Sequence, residues 1–149
     1  LALSPDDGSG RAVEGVFGYE VKRNGRGLVS LLFHDYLYSG GANGRTVVTG
    51  LTFSSRDGQV YRLQDLFKNE ETYGAVLDEH IRRQLRDRGL ESQLLKSFSG
   101  ITKGACFYLT ATDLVIVIQE LDWFPHSMGS VEFPIPLSEL SMYTQDVLK

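Results

Sequence analysis

The sequence predicts an α+β domain in which an antiparallel sheet of hairpins packs against one long helix. Strand-like segments with period-two alternation occupy both ends of the chain, and tight-turn pairs such as Asn24-Gly25 separate neighbouring segments. A single long helical pattern lies between the two groups of strands. Strands that follow one another through short turns pair in antiparallel sheets, whereas parallel strands need long crossover connections.

The first strands are predicted to form hairpins. Residues 16–23 and 27–38 flank Asn24-Gly25, and both of these turn residues tolerate positive φ. Residues 46–53 alternate again and lead into a further short arm. One face of the segment 27–38 is apolar and carries Val29, Leu31, Phe33 and Leu37.

One long helix is predicted next. Asn69 is placed to cap it, two glutamates follow in the first turn, where the helix dipole favours negative charge, and Gly89 ends it. The apolar residues at helical spacing are Tyr73, Val76, Leu77, Ile81 and Leu85. We expect this stripe to pack on the sheet that contains residues 114–118.

The C-terminal third returns to strands. Residues 105–110 and 114–120 form a second hairpin, and Leu114–Ile118 is apolar on both faces, which is typical of a central, covered strand. Prolines in the strand at 131–135 and directly after it confine that strand to an edge or let it leave the ladder. Ser138 is predicted to start a short C-terminal helical turn.

Composition and residue counts exclude several classes of partner and cofactor. The 149 residues make one domain, and 15 basic against 19 acidic residues give a formal charge of -4, which argues against a nucleic-acid partner. Cys106 is the only cysteine, and His34, His80 and His126 lack the spacing of metal ligands, so we expect no metal and no cofactor. No stretch is long and apolar enough to span a bilayer, so a membrane would be reached only through a segment outside this chain.

A glycine-rich bend follows Tyr36 and Tyr38, two aromatic candidates for partner binding. Gly40, Gly41 and Asn43 form this bend, which lies between strands and lacks the lysine of a phosphate loop. We interpret it as a structural turn that needs positive φ.

Three carboxylates are candidates for catalytic residues of a hydrolase. Asp35 interrupts an apolar strand face, and Glu120 and Asp122 lie at the end of the predicted central strand. Two such groups within ~5–10 Å of each other could hydrolyse a glycosidic bond. The alternative interpretation is that they accept hydrogen bonds from turn N–H groups or face water.

An unusual loop follows the central strand. Trp123, Phe124, Pro125, His126 and Met128 place large side chains in a connection that should lie at the surface. They either contact a partner or cover the end of the core, and His126 is the expected exposed tip.

Several motifs in this order resemble one family of extracytoplasmic bacterial domains. The motifs are Tyr38-Ser39-Gly40-Gly41-Ala42-Asn43, Leu63-Gln64-Asp65-Leu66-Phe67, Phe107-Tyr108-Leu109, Pro125 to Gly129, and Ile135-Pro136-Leu137-Ser138-Glu139-Leu140. Together they resemble the domain of unknown function found at the C-terminus of lysozyme-sensing anti-sigma factors and in some bacterial polysaccharide deacetylases. Asn43 replaces the histidine of the family pattern, and His126 stands where the family often has tyrosine.

The resemblance implies a location and a partner class. It implies one extracytoplasmic domain over residues 1–149, at the cell surface or secreted, with an N-terminal part of the full-length protein outside this sequence. The expected function is non-catalytic binding of a lysozyme-like protein or a cell-wall glycan of the envelope. The alternatives are a carboxylate-based hydrolase of cell-wall polymers and an accessory structural domain of a polysaccharide deacetylase.

Overall fold

The computed structural model describes residues 2–3, 14–38 and 44–148. Gly40, Gly41 and Asn43 of the glycine bend lie outside the described residues. The strands are β1 (Ala2–Leu3), β2 (Glu14–Gly25), β3 (Leu28–Tyr38), β4 (Arg45–Ser54), β5 (Val60–Tyr61), β6 (Cys106–Leu109), β7 (Asp113–Ile118) and β8 (Val131–Pro136). The α-helices are α1 (Tyr73–Asp87) and α2 (Leu137–Leu140). Neither helix in this part of the chain is long and apolar enough to cross a membrane.

The strands form two antiparallel sheets, ordered β1-β2-β3-β4-β5 and β6-β7-β8. The prediction of antiparallel sheets with few helices is confirmed, but the expected single sheet is divided in two. At Gly50, β4 passes so close to the Phe107 carbonyl of β6 that no side chain fits between them. The sheets therefore pack on each other, and β7 is covered by the first sheet on one face and by α1 on the other.

The hairpin between β2 and β3 turns two residues later than predicted. Asn24 and Gly25 still pair with Val29 and Leu28, and the turn residues are Arg26 and Gly27, at φ 53° and 78°. A β-bulge between Val21 and Arg23 accompanies this register. The bulge lets the Arg23 guanidinium donate to the Thr110 carbonyl at 3.2 Å, a contact that local turn chemistry does not reveal.

The face of β3 that packs on the second sheet is the one containing a serine. Leu28, Ser30 and Leu32 are buried, whereas the apolar face that begins at Val29 points away. The Ser30 Oγ lies 2.8 Å from the Thr52 Oγ1 and accepts the Leu109 N–H at 2.9 Å. These hydrogen bonds remove the penalty of burying the hydroxyl groups.

Helix α1 buries the predicted stripe. Its side chains Tyr73, Leu77, Ile81 and Leu85 form one core cluster with Leu114, Ile116 and Ile118 of β7, and Val76 packs at the margin. The helix begins three residues later than a cap at Asn69 would require. Asn69 instead accepts the Glu71 N–H at 2.7 Å in the preceding turn.

Replacing Ile81 with alanine should lower the free energy of unfolding by roughly 2–5 kcal/mol, because the side chain is fully buried between α1 and β7. Chemical denaturation measures the change. Glu79→Ala, on the exposed side of the same helix, is the matched control and should change stability by no more than about 0.5 kcal/mol. Equal effects of the two substitutions would contradict the packing of α1 on β7.

Candidate functional site

The end of the β3–β4 pair carries the first predicted contact residues. Tyr36 lies opposite Thr46, and its ring covers Gly44 so closely that a side chain at Gly44 would overlap its hydroxyl group. Tyr36 is 38% exposed, whereas Tyr38 is half-buried at the end of β3. An aromatic surface therefore lies where β3 ends and β4 begins.

Two side chains from the end of β7 bind the edge of β4. The Glu120 Oε1 accepts the Thr46 N–H at 2.7 Å. The Gln119 amide accepts the Val48 N–H at 2.9 Å and donates to the Val48 carbonyl at 2.6 Å, as a neighbouring strand would. Because β5 pairs only with Thr52 and Phe53, this edge would otherwise be open to pairing with another chain. Sequence patterns assign no role to Gln119 and leave two for Glu120, as a catalytic carboxylate or as an acceptor for backbone N–H groups.

The loop after β7 is a fixed turn. Leu121 lies at φ 64°, an unusual conformation for a bulky residue, and Gly129 at φ 62° ends the 3₁₀ turn His126–Met128. Phe124 is 1% exposed and stacks on Phe133 with ring centroids 6.4 Å apart. The Phe124 side chain therefore anchors the turn in the hydrophobic core.

The predicted loop residues divide between core and surface. Trp123 is half-buried, with its ring centroid 5.0 Å from that of Phe98, and Phe124 belongs to the core. Pro125, His126 and Met128 are half-buried. Ser127 is the exposed tip of the turn, whereas the His126 side chain is 38% exposed, with its Nδ1 3.8 Å from the Glu120 Oε2. Glu120 therefore joins this turn to the start of β4.

Comparison with known proteins identifies the family. A family model described as "Protein of unknown function (DUF3298)" matches residues 64–138. The chain belongs to the DUF3298 family. No curated protein matches the chain.

Two solved DUF3298 structures are similar to this chain. A DUF3298 family protein from Pseudomonas aeruginosa PAO1 has 20% identity and a TM-score of 0.72, over 90% of this chain and 63% of that one. A DUF3298 member from Bacteroides fragilis NCTC 9343 has 21% identity and a TM-score of 0.74, over 89% of this chain and 54% of that one. At these identities the likeness shows the fold alone. The chain spans less than two thirds of the length of either structure.

The candidate catalytic carboxylates of this DUF3298 domain lie in three different settings. Asp35 shares a face of the first sheet with its register partners Phe17 and Val47. Glu120 is buried against the edge of β4, and Asp122 is exposed beside Trp123. The Glu120 Oε1 is committed to a backbone N–H, which is a structural role.

A groove runs beside Asp122 and Trp123. A cavity of about 500 Å³ lies between β4, β5 and the segment 101–106, and a second of about 210 Å³ adjoins it. Thr102, Asp122 and Trp123 line both. Cys106 also lines the larger cavity, but burial raises the pKa of its thiol, which disfavours the reactive thiolate.

The histidines are dispersed across the fold. His34, His80 and His126 lie 3.5–3.8 Å from Glu20, Glu139 and Glu120, respectively. Within residues 2–3, 14–38 and 44–148, no three His, Cys, Asp or Glu side chains come together as a ligand set for a metal ion. Independence from metal remains a prediction that metal analysis of the purified protein would test.

Proposed function

We propose that this domain is a non-catalytic binding module of the bacterial cell envelope that recognises a lysozyme-like protein. Its contact surface, the recognition edge, consists of Tyr36, Thr46, Pro125, His126 and Ser127. One observation carries the proposal: Glu120 accepts the Thr46 N–H and lies beside the His126 ring. The predicted contact residues of the turn therefore lie at the same edge as Thr46, the register partner of the predicted contact residue Tyr36. The resemblance to lysozyme-sensing anti-sigma factors supplies the partner class and the location.

The recognition edge is pre-organised for binding. Phe124 anchors the turn in the core, and Glu120 holds it against the start of β4. A surface that is already ordered loses less conformational entropy when a partner binds. The Tyr36 ring offers aromatic contact area, while the imidazole of His126 and the hydroxyl of Ser127 offer hydrogen bonds.

The setting of the carboxylates favours binding over hydrolysis. A glycosidase needs two carboxyl groups that face one substrate from a distance of ~5–10 Å. Asp35 belongs to a sheet face, whereas Glu120 reaches the edge of β4 from the second sheet and is buried there. The proposal therefore assigns Glu120 the role of positioning the turn.

A cell-wall glycan is the second candidate ligand, and the groove beside Trp123 favours it. Concave sites with an aromatic wall and a few polar groups suit small polar ligands, and Thr102, Asp122 and Trp123 provide such a lining. This groove is lined by residues other than those of the recognition edge, so substitutions can separate the two candidates.

The experiment measures binding of hen egg-white lysozyme and of soluble peptidoglycan fragments to a panel of variants. His126→Ala and Tyr36→Ala are each expected to weaken lysozyme binding about fivefold or more, since a contact anchor contributes more than ~1 kcal/mol. Ser127→Arg is expected to weaken it as well, because a large charged side chain would stand in the contact. Met142→Ala is the control, because Met142 is a 72% exposed apolar residue outside the recognition edge. Asp122→Ala should leave lysozyme binding unchanged.

Three other outcomes of this experiment would contradict the proposed lysozyme-binding function. Binding of peptidoglycan fragments alone, lost in Asp122→Ala, would assign the glycan groove. Release of cleaved glycan that stops in Asp35→Asn or Glu120→Gln would show a hydrolase. Lysozyme binding that survives all three edge substitutions would exclude the recognition edge as the contact surface.

A further inference from the structure

The first sheet has an apolar face that points away from the second sheet. Register pairs define this outer face: Tyr19 lies opposite Phe33, which lies opposite Thr49, and Val21 lies opposite Leu31, which lies opposite Leu51. Side chains that are directly paired lie on the same side of a sheet. The outer face comprises Gly15, Phe17, Tyr19, Val21, Asn24, Val29, Leu31, Phe33, Asp35, Leu37, Arg45, Val47, Thr49, Leu51, Phe53 and Val60.

Large apolar side chains on the outer face are exposed to solvent. Six of them are between 41% and 64% exposed: Phe17, Tyr19, Val21, Leu37, Val47 and Val60. Together they expose on the order of 500 Å², which is at the upper end of the largest apolar patch on an ordinary monomer. The half-buried members add to that area. The solvent-facing side of an antiparallel sheet normally carries polar residues, so the apolar outer face has the composition of an interface.

The centre of the outer face is aromatic and uncharged. The Phe33 ring lies 5.8 Å from that of Phe17 and 6.3 Å from that of Tyr19. The charged members, Asp35 and Arg45, stand towards one end of the face, where β3 ends and β4 begins. A partner that covered Tyr19, Val21 and Phe33 would therefore bury aromatic and aliphatic area with no charge at the middle of the contact, while Asp35 and Arg45 would lie at its margin.

We propose that the outer face is covered by the outer face of a second copy of this chain, so that two five-stranded sheets pack against each other. A standard interface buries about 800 Å² on each partner, and the exposed apolar area of this face supplies most of it. Two copies of one apolar sheet face are chemically complementary, since an isologous contact places the same uncharged centre on both sides. The small net charge of -4 opposes such an association only weakly. The aromatic residues Tyr19 and Phe33 are the anchors.

Sedimentation velocity on the 149-residue chain tests this proposal. The wild type should sediment at low micromolar concentration with a mass near twice 16.6 kDa. Val21→Lys and Tyr19→Lys should each shift the distribution to the mass of one chain, because each would bury an unpaired charge in the interface. Met142→Lys adds the same charge at an exposed apolar residue outside the outer face and should leave the dimer intact. Circular dichroism would verify that all variants are folded.

Three results would overturn the proposal. The first is a wild type that stays monomeric throughout the micromolar range. The second is a dimer that survives both lysine substitutions, which would place the interface elsewhere. The third is a monomer whose Tyr19 is protected from covalent labelling, because another part of the polypeptide would then cover the face. Ser127→Arg should not affect the dimer, so this test does not depend on the proposed binding function.

Discussion

Replacing Phe124 with alanine is expected to lower the free energy of unfolding by about 3–5 kcal/mol, because the substitution leaves a cavity in a fully buried aromatic cluster. The ring stacks on Phe133 at 6.4 Å and lies 6.5 Å from Trp123. Urea denaturation measures the change. This substitution would also reduce binding to a partner, because it lowers the population of folded domain and removes the anchor that orders the recognition edge.

Leu95→Ala is the control for this substitution. Leu95 is close in space, since its N–H donates to the Trp123 carbonyl at 2.8 Å, but its side chain is 54% exposed. Its truncation should change stability by no more than about 0.5 kcal/mol. If Phe124→Ala were as stable as Leu95→Ala and yet lost binding, Phe124 would be a contact residue and its assignment to the core would be wrong.

Replacing Gly50 with alanine is expected to cost about 3 kcal/mol or more, at the upper end of overpacking. A Cβ atom at this position would overlap the Phe107 carbonyl oxygen and lie 3.1 Å from its carbonyl carbon. Those atoms belong to the backbone and cannot rotate away, so the two sheets would have to separate. That separation would also loosen the cluster in which Leu32 and Val48 pack on Val115 and Val117.

Gly18→Ala is the matched control for Gly50→Ala. Both glycines lie within strands of the first sheet, but no atom lies within 4 Å of a Cβ atom built on Gly18. Alanine at Gly18 should be neutral or slightly stabilising, because it reduces the entropy of the unfolded chain. Thermal and urea unfolding of the two variants give the comparison. Equal stability would contradict the close approach of β4 and β6.

Local patterns in the sequence determined the helix and the central strand. The spacing of Leu77, Ile81 and Leu85 places them on one helical face, and Leu114–Ile118 is apolar at every position, so it is covered on both sides. Both features depend on residues that are neighbours along the chain, and for that reason they can be read from the sequence. The motif order likewise led to the family that the comparison established.

Only the tertiary structure decided which sheet faces are buried and where the site lies. Ser30 turns inward because Leu109, 79 residues away, donates to its hydroxyl, and an apolar face is left outside in consequence. Glu120 joins the turn at His126 to Thr46 across 74 residues of chain. These hydrogen bonds join segments that come together only once both sheets have formed. Local periodicity and turn propensity therefore contain no information about these hydrogen bonds. For that physical reason, the hairpin register and the setting of the carboxylates could be determined only from the folded structure.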